Sequence, residues 1–372
     1  MKDDRARLLL SLNVEPGDPR LASALREQGG AAALLDAVRR RPAMWPEPWQ
    51  HVTDGPEDQV EHMLRVGREQ GLRWITPGHE EWPEQLAGLD EVETAGGAGG
   101  APLGLWCRGT GHLRLLSEHA VAVVGARDCT TYGAEVAGDI AASAAASGFT
   151  VVSGAAFGID ASAHRGGLAA GDAGIAVLAC GADLDYPRAH ASLLGRIAEY
   201  GVVVSEYPPG RAAARSRFLA RNRLIAALAD GLVVVEAAHR SGSLNTLQWA
   251  DRLGRTTMAV PGPVTSAQSQ GTHDAVRSGK AVLVGSGADV VAELVGFHGR
   301  IAKDRAVDVD PVATAVFGQL HDASPRQPAE IARELRIGTL HTVRALRRLE
   351  ADGAVEATAE GWQRTATSSP AP

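Results

Sequence analysis

The stretch VVSGAAFGIDASAHRGG, residues 151–167, decides how the central part of this chain is read. A short β-branched run ends in Ser153 and Gly154, the chain loops through Gly158, and a helix follows that carries Asp160 and His164 one turn apart. A strand that delivers a glycine turn to a helix N-terminus can cradle a phosphate, because backbone N–H groups point outward there without a Cβ in the way. Asp160 and His164, at i and i+4, are expected to hydrogen-bond and fix the loop, not to act as an acid/base or metal pair.

The same alternation of strand and helix runs through the sequence around it. From about Leu103 the strand candidates are LGLWCRG, AVAVVGAR, FTVVSG, GIAVLACG, GVVVSEYPPG, GLVVVEA, TTMAVPG and KAVLVGS, many separated by alanine-rich segments of helical length. Continuous apolar strands with crossover helices predict an α/β fold with a Rossmann-like, doubly wound, mostly parallel sheet. Right-handed crossovers then bring the loops after the strands to one edge, where ligands bind in such folds.

Those strand ends carry polar residues. VVGARDCTTYG presents Gly125 and Arg127 before a helix, but GxGxxG is missing and no acidic residue follows the second strand to hold a ribose, which argues against a dinucleotide. SEYPPG places Glu206 at a strand end, and VVVEAAHRSGSLNT adds Glu236, Arg240 and a Ser241–Gly242–Ser243 turn that is a second anion nest. Neither glutamate has a nucleophile or metal cluster beside it, so both are read as structural. In RAAARSRFLARNRLIAAL, Arg211, Arg215, Arg217, Arg221 and Arg223 surround Phe218. A ring on which a base can stack, among guanidinium groups that can take phosphates, is what holding a single strand requires.

Composition bounds the rest. The 372 residues exceed one ordinary core and predict two or three domains. A net charge of −7 excludes a chain coated in positive charge but leaves room for a local basic pocket. No apolar run reaches the ~20 residues of a membrane span, and the N-terminus lacks a leader pattern, so a cytoplasmic protein without membrane contact is expected. Cys107, Cys129 and Cys180 stand far apart with no CxxC, which predicts neither a disulfide framework nor a zinc site.

Residues 1–75 read as short helices separated by Pro and Gly, a SAM-like unit that either contacts DNA or partners or packs as an accessory. The central domain is expected over 76–298 and a polar linker, GRIAKDRAVDV, over 299–309. Over 310–366, three helix candidates and a hairpin have the order of a winged helix. Its second helix-turn-helix segment carries Arg344, Arg347 and Arg348 but also Glu350 and Asp352, which leaves DNA and protein contact both open.

Taken in order, VAVVGARDCTTYG, VVSGAAFGIDASAHRG, IAVLACGADLDYP, VVVSEYPPG, RFLARNRLIAAL, VVVEAAHRSGSLNT and AVPGPV resemble the DNA processing protein A family (DprA, also called Smf) over about Trp74 to Val295. The resemblance implies a homodimer that binds single-stranded DNA, protects incoming strands in natural transformation and helps load the RecA recombinase, with no enzymatic activity and no cofactor. By the same resemblance the strand-binding residues are Arg127, Ser153, Gly154, Phe157, Gly158, Arg215, Phe218, Arg221, Asn222 and Arg223, with Ser241, Gly242 and Ser243 as the second nest. Asp160, His164, Glu206 and Glu236 are structural at the site. Phe157 stands where many members have arginine, which removes a cation and offers a stacking face, and Leu219 replaces a common proline. Two alternatives remain. One is a nucleotide phosphoribohydrolase of the lysine-decarboxylase-like group, which the Ser-Gly-Ser-Leu-Asn-Thr turn loosely resembles. The other is a regulator acting through the winged helix.

Overall fold

A computed structural model describes residues 2–53, 58–92, 94–95, 97–304, 310–320 and 324–365. The apolar runs form strands: β1 (Leu72–Ile75), β2 (Leu105–Arg108), β3 (Ala120–Val124), β4 (Thr150–Ser153), β5 (Ile175–Val177), β6 (Val202–Ser205), β7 (Gly231–Val234), β8 (Thr256–Ala259) and the short, exposed β9 (Val282–Leu283), with β3 to β7 buried throughout. They make one sheet in the order β1-β2-β6-β5-β4-β3-β7-β8-β9. Strands β3 to β9 pair in parallel through the crossovers the sequence predicts. The chain steps outward from β3 to β6 and then returns to lay β7 against the other side of β3, so the switch point lies between β3 and β7.

Two features depart from the sequence reading. Strand β2 runs antiparallel to β6, and β1, which the residue 75 boundary assigns to the helical unit, pairs antiparallel with β2. Four residues of LRWI are too few to reveal a period against the preceding helix. The linker also begins later than expected, because helix Gly287–Asp304 continues through all of GRIAKD, while 305–309 lie outside the described residues.

Helices Asp3–Asn13, Pro19–Gln28 and Ala31–Arg40 bury Leu8, Leu9, Leu34, Leu35 and Val38 together with Leu72 and Trp106 of the sheet. Near the other end of the chain, helices Pro311–Gly318, Pro328–Leu335 and Thr339–Ala351 precede a hairpin of β10 (Val355–Thr358) and β11 (Gly361–Arg364). Residue 366, the expected end of this unit, lies outside the described residues. Val312, Val316, Ile331 and Leu346 of these helices share one apolar cluster with Ala122, Val152 and Ile175 of the sheet.

The C-terminal helices sit at the edge where the parallel strands begin. His341 Nε2 lies 2.8 Å from Thr150 Oγ1 at the start of β4, and the Arg344 guanidinium covers the Phe149 ring at 4.7 Å. Burial pushes the His341 pKa down to about 3, with His119 and Arg344 adding to the shift, so the ring is neutral when packed. Its folded pKa is depressed, so the stability it carries is present above the ordinary value and lost as pH falls toward about 3. Between about pH 6 and about pH 4 the unaltered chain should therefore lose about 1.4 kcal/mol per pH unit more than His341→Gln in urea denaturation. Equal pH slopes for the two chains would mean that His341 is not held neutral.

Candidate nucleic-acid interface

A cleft of about 650 Å³ opens at the switch point. Its walls are the turn after β3 (Gly125 to Asp128), the turn after β7 (Ala238 to Ser243) and one face of helix Arg215–Ala227. On that helix Arg215, Phe218, Arg221, Asn222 and Ile225 all line the cleft, the spacing of one helical face.

Two glycines shape the floor. A Cβ on Gly154 would collide with the guanidinium of Arg221, which donates from Nη1 to the carbonyls of Gly154, at 2.9 Å, and Val177. Gly158 caps helix Ile159–Ala169 at φ 75° with the Ala126 carbonyl against it, a conformation and a clearance that no other residue provides. Between them Ala155 is held at φ 52°, in the left-handed region that a non-glycine residue enters only under constraint.

Arg221 is buried, and burial lowers its pKa, with Arg127 adding to the shift and Asp160 opposing it. Burial raises the pKa of Asp160, against the pull of Arg221, Arg127 and the backbone N–H groups of Ala156 and Gly154. Arg127, Arg215 and Arg240 are exposed and pair with no carboxylate among the described residues. Four arginines against Asp128 and Asp160 leave the lining net positive on a chain of net charge −7. The Arg127 guanidinium rests 4.3 Å over the centroid of Phe218. At the far wall Asn222 donates to the Gly242 carbonyl at 3.2 Å, and the Ser241 and Ser243 hydroxyls meet at 2.8 Å.

The structure thus brings Arg127, Arg215, Phe218, Arg221, Asn222, Ser241, Gly242 and Ser243 together around one space. It leaves five expected strand-binding residues outside that lining: Gly154 and Gly158 shape the backbone beneath it, and three others are engaged elsewhere. The Ser153 hydroxyl donates to the Val123 carbonyl at 2.7 Å and ties β4 to β3. Arg223 is fully buried, its guanidinium gripping Glu206 (2.7 Å) and the Gly100 carbonyl (2.9 Å) on the side of the helix away from the cleft. Phe157 stands half exposed just outside the lining, against His190.

Glu236 accepts from the Thr130 N–H (2.8 Å) and hydroxyl (2.6 Å), anchoring the start of helix Thr131–Ala146. It is therefore engaged in the fold. No hydrogen bond joins the His164 ring to Asp160, so the expected pairing does not form, and burial pushes the ring's pKa down to about 4. The sequence reading missed Gln268, which lines the cleft from the loop after β8 and donates to the Asp128 carbonyl at 2.7 Å. No local pattern marks it, because its position comes from the return of the chain.

The family model described as DNA recombination-mediator protein A matches residues 73–295, all of the nine-stranded sheet but Leu72. The chain belongs to this family. A DNA processing protein DprA of Mycobacterium tuberculosis is 42% identical over 349 residues, 90% of this chain and 86% of that one. Among solved structures, DNA processing protein A of Streptococcus pneumoniae superposes with a TM-score of 0.64 at 31% identity, covering 77% of this chain and 95% of the other. The Helicobacter pylori protein, described for its single-stranded DNA binding mode, has a TM-score of 0.52 at 26% identity, covering 61% and 98% respectively. The family description is that of a recombination mediator.

The buried Arg223–Glu206 pair sets a test of placement. Removing one partner leaves an uncompensated charge, so Arg223→Ala should cost about 3–5 kcal/mol of stability in urea denaturation. Arg215→Ala, an exposed change on the same helix, should cost within about 0.5 kcal/mol. Equal effects of the two would put Arg223 at the surface.

Proposed function

We propose that this chain binds single-stranded DNA in the cleft between β3 and β7, as a mediator that protects strands in transformation or recombination and helps load RecA, without cleaving what it holds. The observation that carries the reading is the ring of Phe218 beneath Arg127 among exposed arginines with no carboxylate partner among the described residues. A π-face accepts any base, and guanidinium forks take phosphates without regard to sequence. Arg127, Arg215, Arg240 and the Ser241–Gly242–Ser243 turn serve the backbone, Phe218 serves a base, and the buried Arg221 holds the helix that carries them. The Helicobacter pylori relative, described for single-stranded DNA binding, supports the same ligand.

Around this domain the proposal sets a SAM-like helical unit before β1, a linker beginning after Asp304 and a winged helix over 310–366. The order of three helices and a hairpin supports the last of these. Its arginines point to an accessory and not to a second DNA site. Arg344 stacks on Phe149, Arg347 pairs with Glu350 at 2.8 Å, and Arg348 pairs with Asp310 at 2.9 Å. A homodimer completes the reading, supported by the exposed Val282 and Leu283 of the edge strand β9 and the exposed Val295 on the helix that follows. Unpaired edge strands with apolar side chains seek a partner.

Phe218→Ala should weaken single-strand binding by about fivefold to about a hundredfold, the ~1–3 kcal/mol of a stacked base, with little change in salt dependence. Arg127→Ala and Arg215→Ala should each reduce the slope of log affinity against log salt by about 0.7, while Arg347→Ala leaves affinity within a few-fold. Fluorescence anisotropy across a salt series separates these effects. Turnover of a nucleoside monophosphate that disappears in Glu236→Gln, with strand binding unchanged in the arginine variants, would turn the assignment to the hydrolase.

Light scattering should give twice the 38.8 kDa monomer mass for the unaltered chain and a monomer for Leu283→Asp. A monomer in both cases removes the dimer.

A further inference from the structure

Rings free to stack are scarce on this protein. It has five phenylalanines and four tyrosines, and among the described residues only Tyr132, Phe157, Tyr186 and Tyr200 of these are well exposed. Two of the four meet one short segment, residues 186–190, at its two ends. Tyr186 lies against the cleft's Phe218, with ring centroids 5.8 Å apart and planes at 44°. His190 stands edge-on to Phe157 at 4.7 Å and 64°.

His190 is itself buried, its Nδ1 donating to the Ala155 carbonyl at 2.9 Å, so it is a fixed brace. Phe157 keeps half its surface in solvent on that brace and directly follows Ala156, which lines the cleft. An exposed ring held edge-on by an immobile neighbour gives up little freedom when a planar ligand stacks on it. Arg188 is exposed between the two ring pairs and makes no ion pair with a described carboxylate. Four residues of chain span at most about 14 Å, so the two platforms lie only a few nucleotides apart.

We propose that Phe157, braced by His190, is a second base-stacking platform that continues the path of a single strand out of the cleft past Tyr186, with Arg188 taking an intervening phosphate. This rests on the reading that the cleft holds single-stranded DNA. It adds a longer footprint and a second aromatic step outside the cleft.

The test is binding of labelled oligothymidylates of about 4 to about 16 nucleotides, the range of single-strand site sizes, to the full chain. Phe157→Leu should match the unaltered protein on the shortest strands and bind about fivefold to about a hundredfold more weakly once a strand reaches the second platform, with the salt slope unchanged. Phe157→Arg should recover affinity for long strands with a salt slope steeper by about 0.7, and Arg188→Ala should lose about 0.7 on long strands only. A Phe157→Leu loss that is equal at every length, or absent at every length, overturns the second platform and leaves the cleft standing. No binding at any length by the unaltered protein overturns both.

Discussion

The Arg221 guanidinium, sealed under the end of the sheet, is the constraint on which the rest of the site depends. It donates to the carbonyls of Gly154 and Val177, at the ends of β4 and β5, and it can do so only because residue 154 has no side chain. Those contacts pin helix Arg215–Ala227 against the edge where the strands end. Once the helix phase is fixed, Phe218 and Arg215 follow at three and six residues toward the N-terminus, on the same face. Asp160, drawn in by Arg221 and Arg127, offsets part of the cost of burying this charge. One buried arginine thus positions the exposed Arg215 and the half-buried Phe218, which could not hold themselves.

The sheet keeps its two working ends apart. The cleft lies where the parallel strands finish, and the C-terminal helices close the end where they begin, through Thr150, Phe149 and an apolar cluster continuous with the sheet. A ligand in the cleft and a partner on the C-terminal unit therefore need not compete for surface. The net negative chain is compatible with this arrangement, because positive charge is needed only along the cleft, where a Debye length of about 8 Å at physiological salt limits how far distant acids are felt.

Much of this was legible in the sequence, for physical reasons that also explain the failures. Strands buried on both faces are written as uninterrupted valine runs, so the parallel part of the sheet could be read directly, whereas the antiparallel β1 became visible only through its partner β2. The turns at Gly125, Gly154 and Gly242 were marked by residue type. The arginine cluster was not resolved by composition alone. Five arginines around Phe218 look like one patch, but successive helical residues turn by about 100°, so Arg223 sits about 200° from Arg221 and faces Glu206. Arg217 likewise turns out of the cleft to Glu15, at 2.7 Å, and lies over the ring of Tyr207. Applying the helical phase to the run would have separated cleft residues from core residues. Ser153 could not have been placed this way, since its hydroxyl bonds to a neighbouring strand whose register the local sequence does not state.

The occupied face of Phe218 bears on selectivity. Arg127 rests on the ring in the unbound protein, so a base that stacks there must first displace the guanidinium. A cation over an exposed ring contributes about 0.5–1 kcal/mol, and a stacked base about 1–3 kcal/mol, so the exchange alone gains little. What tips it is the destination of the displaced arginine, which is a phosphate of the same strand. Stacking and phosphate neutralisation then become one event, and a ligand that supplies only one of them gains little. A free nucleobase brings no phosphate. A duplex brings phosphates, but its bases are already stacked and must be unpaired at a cost of a few kcal/mol before one can reach the ring. A single strand offers both groups at no such cost, so on the proposed reading the preference for single strands arises from the coupling between Arg127 and Phe218.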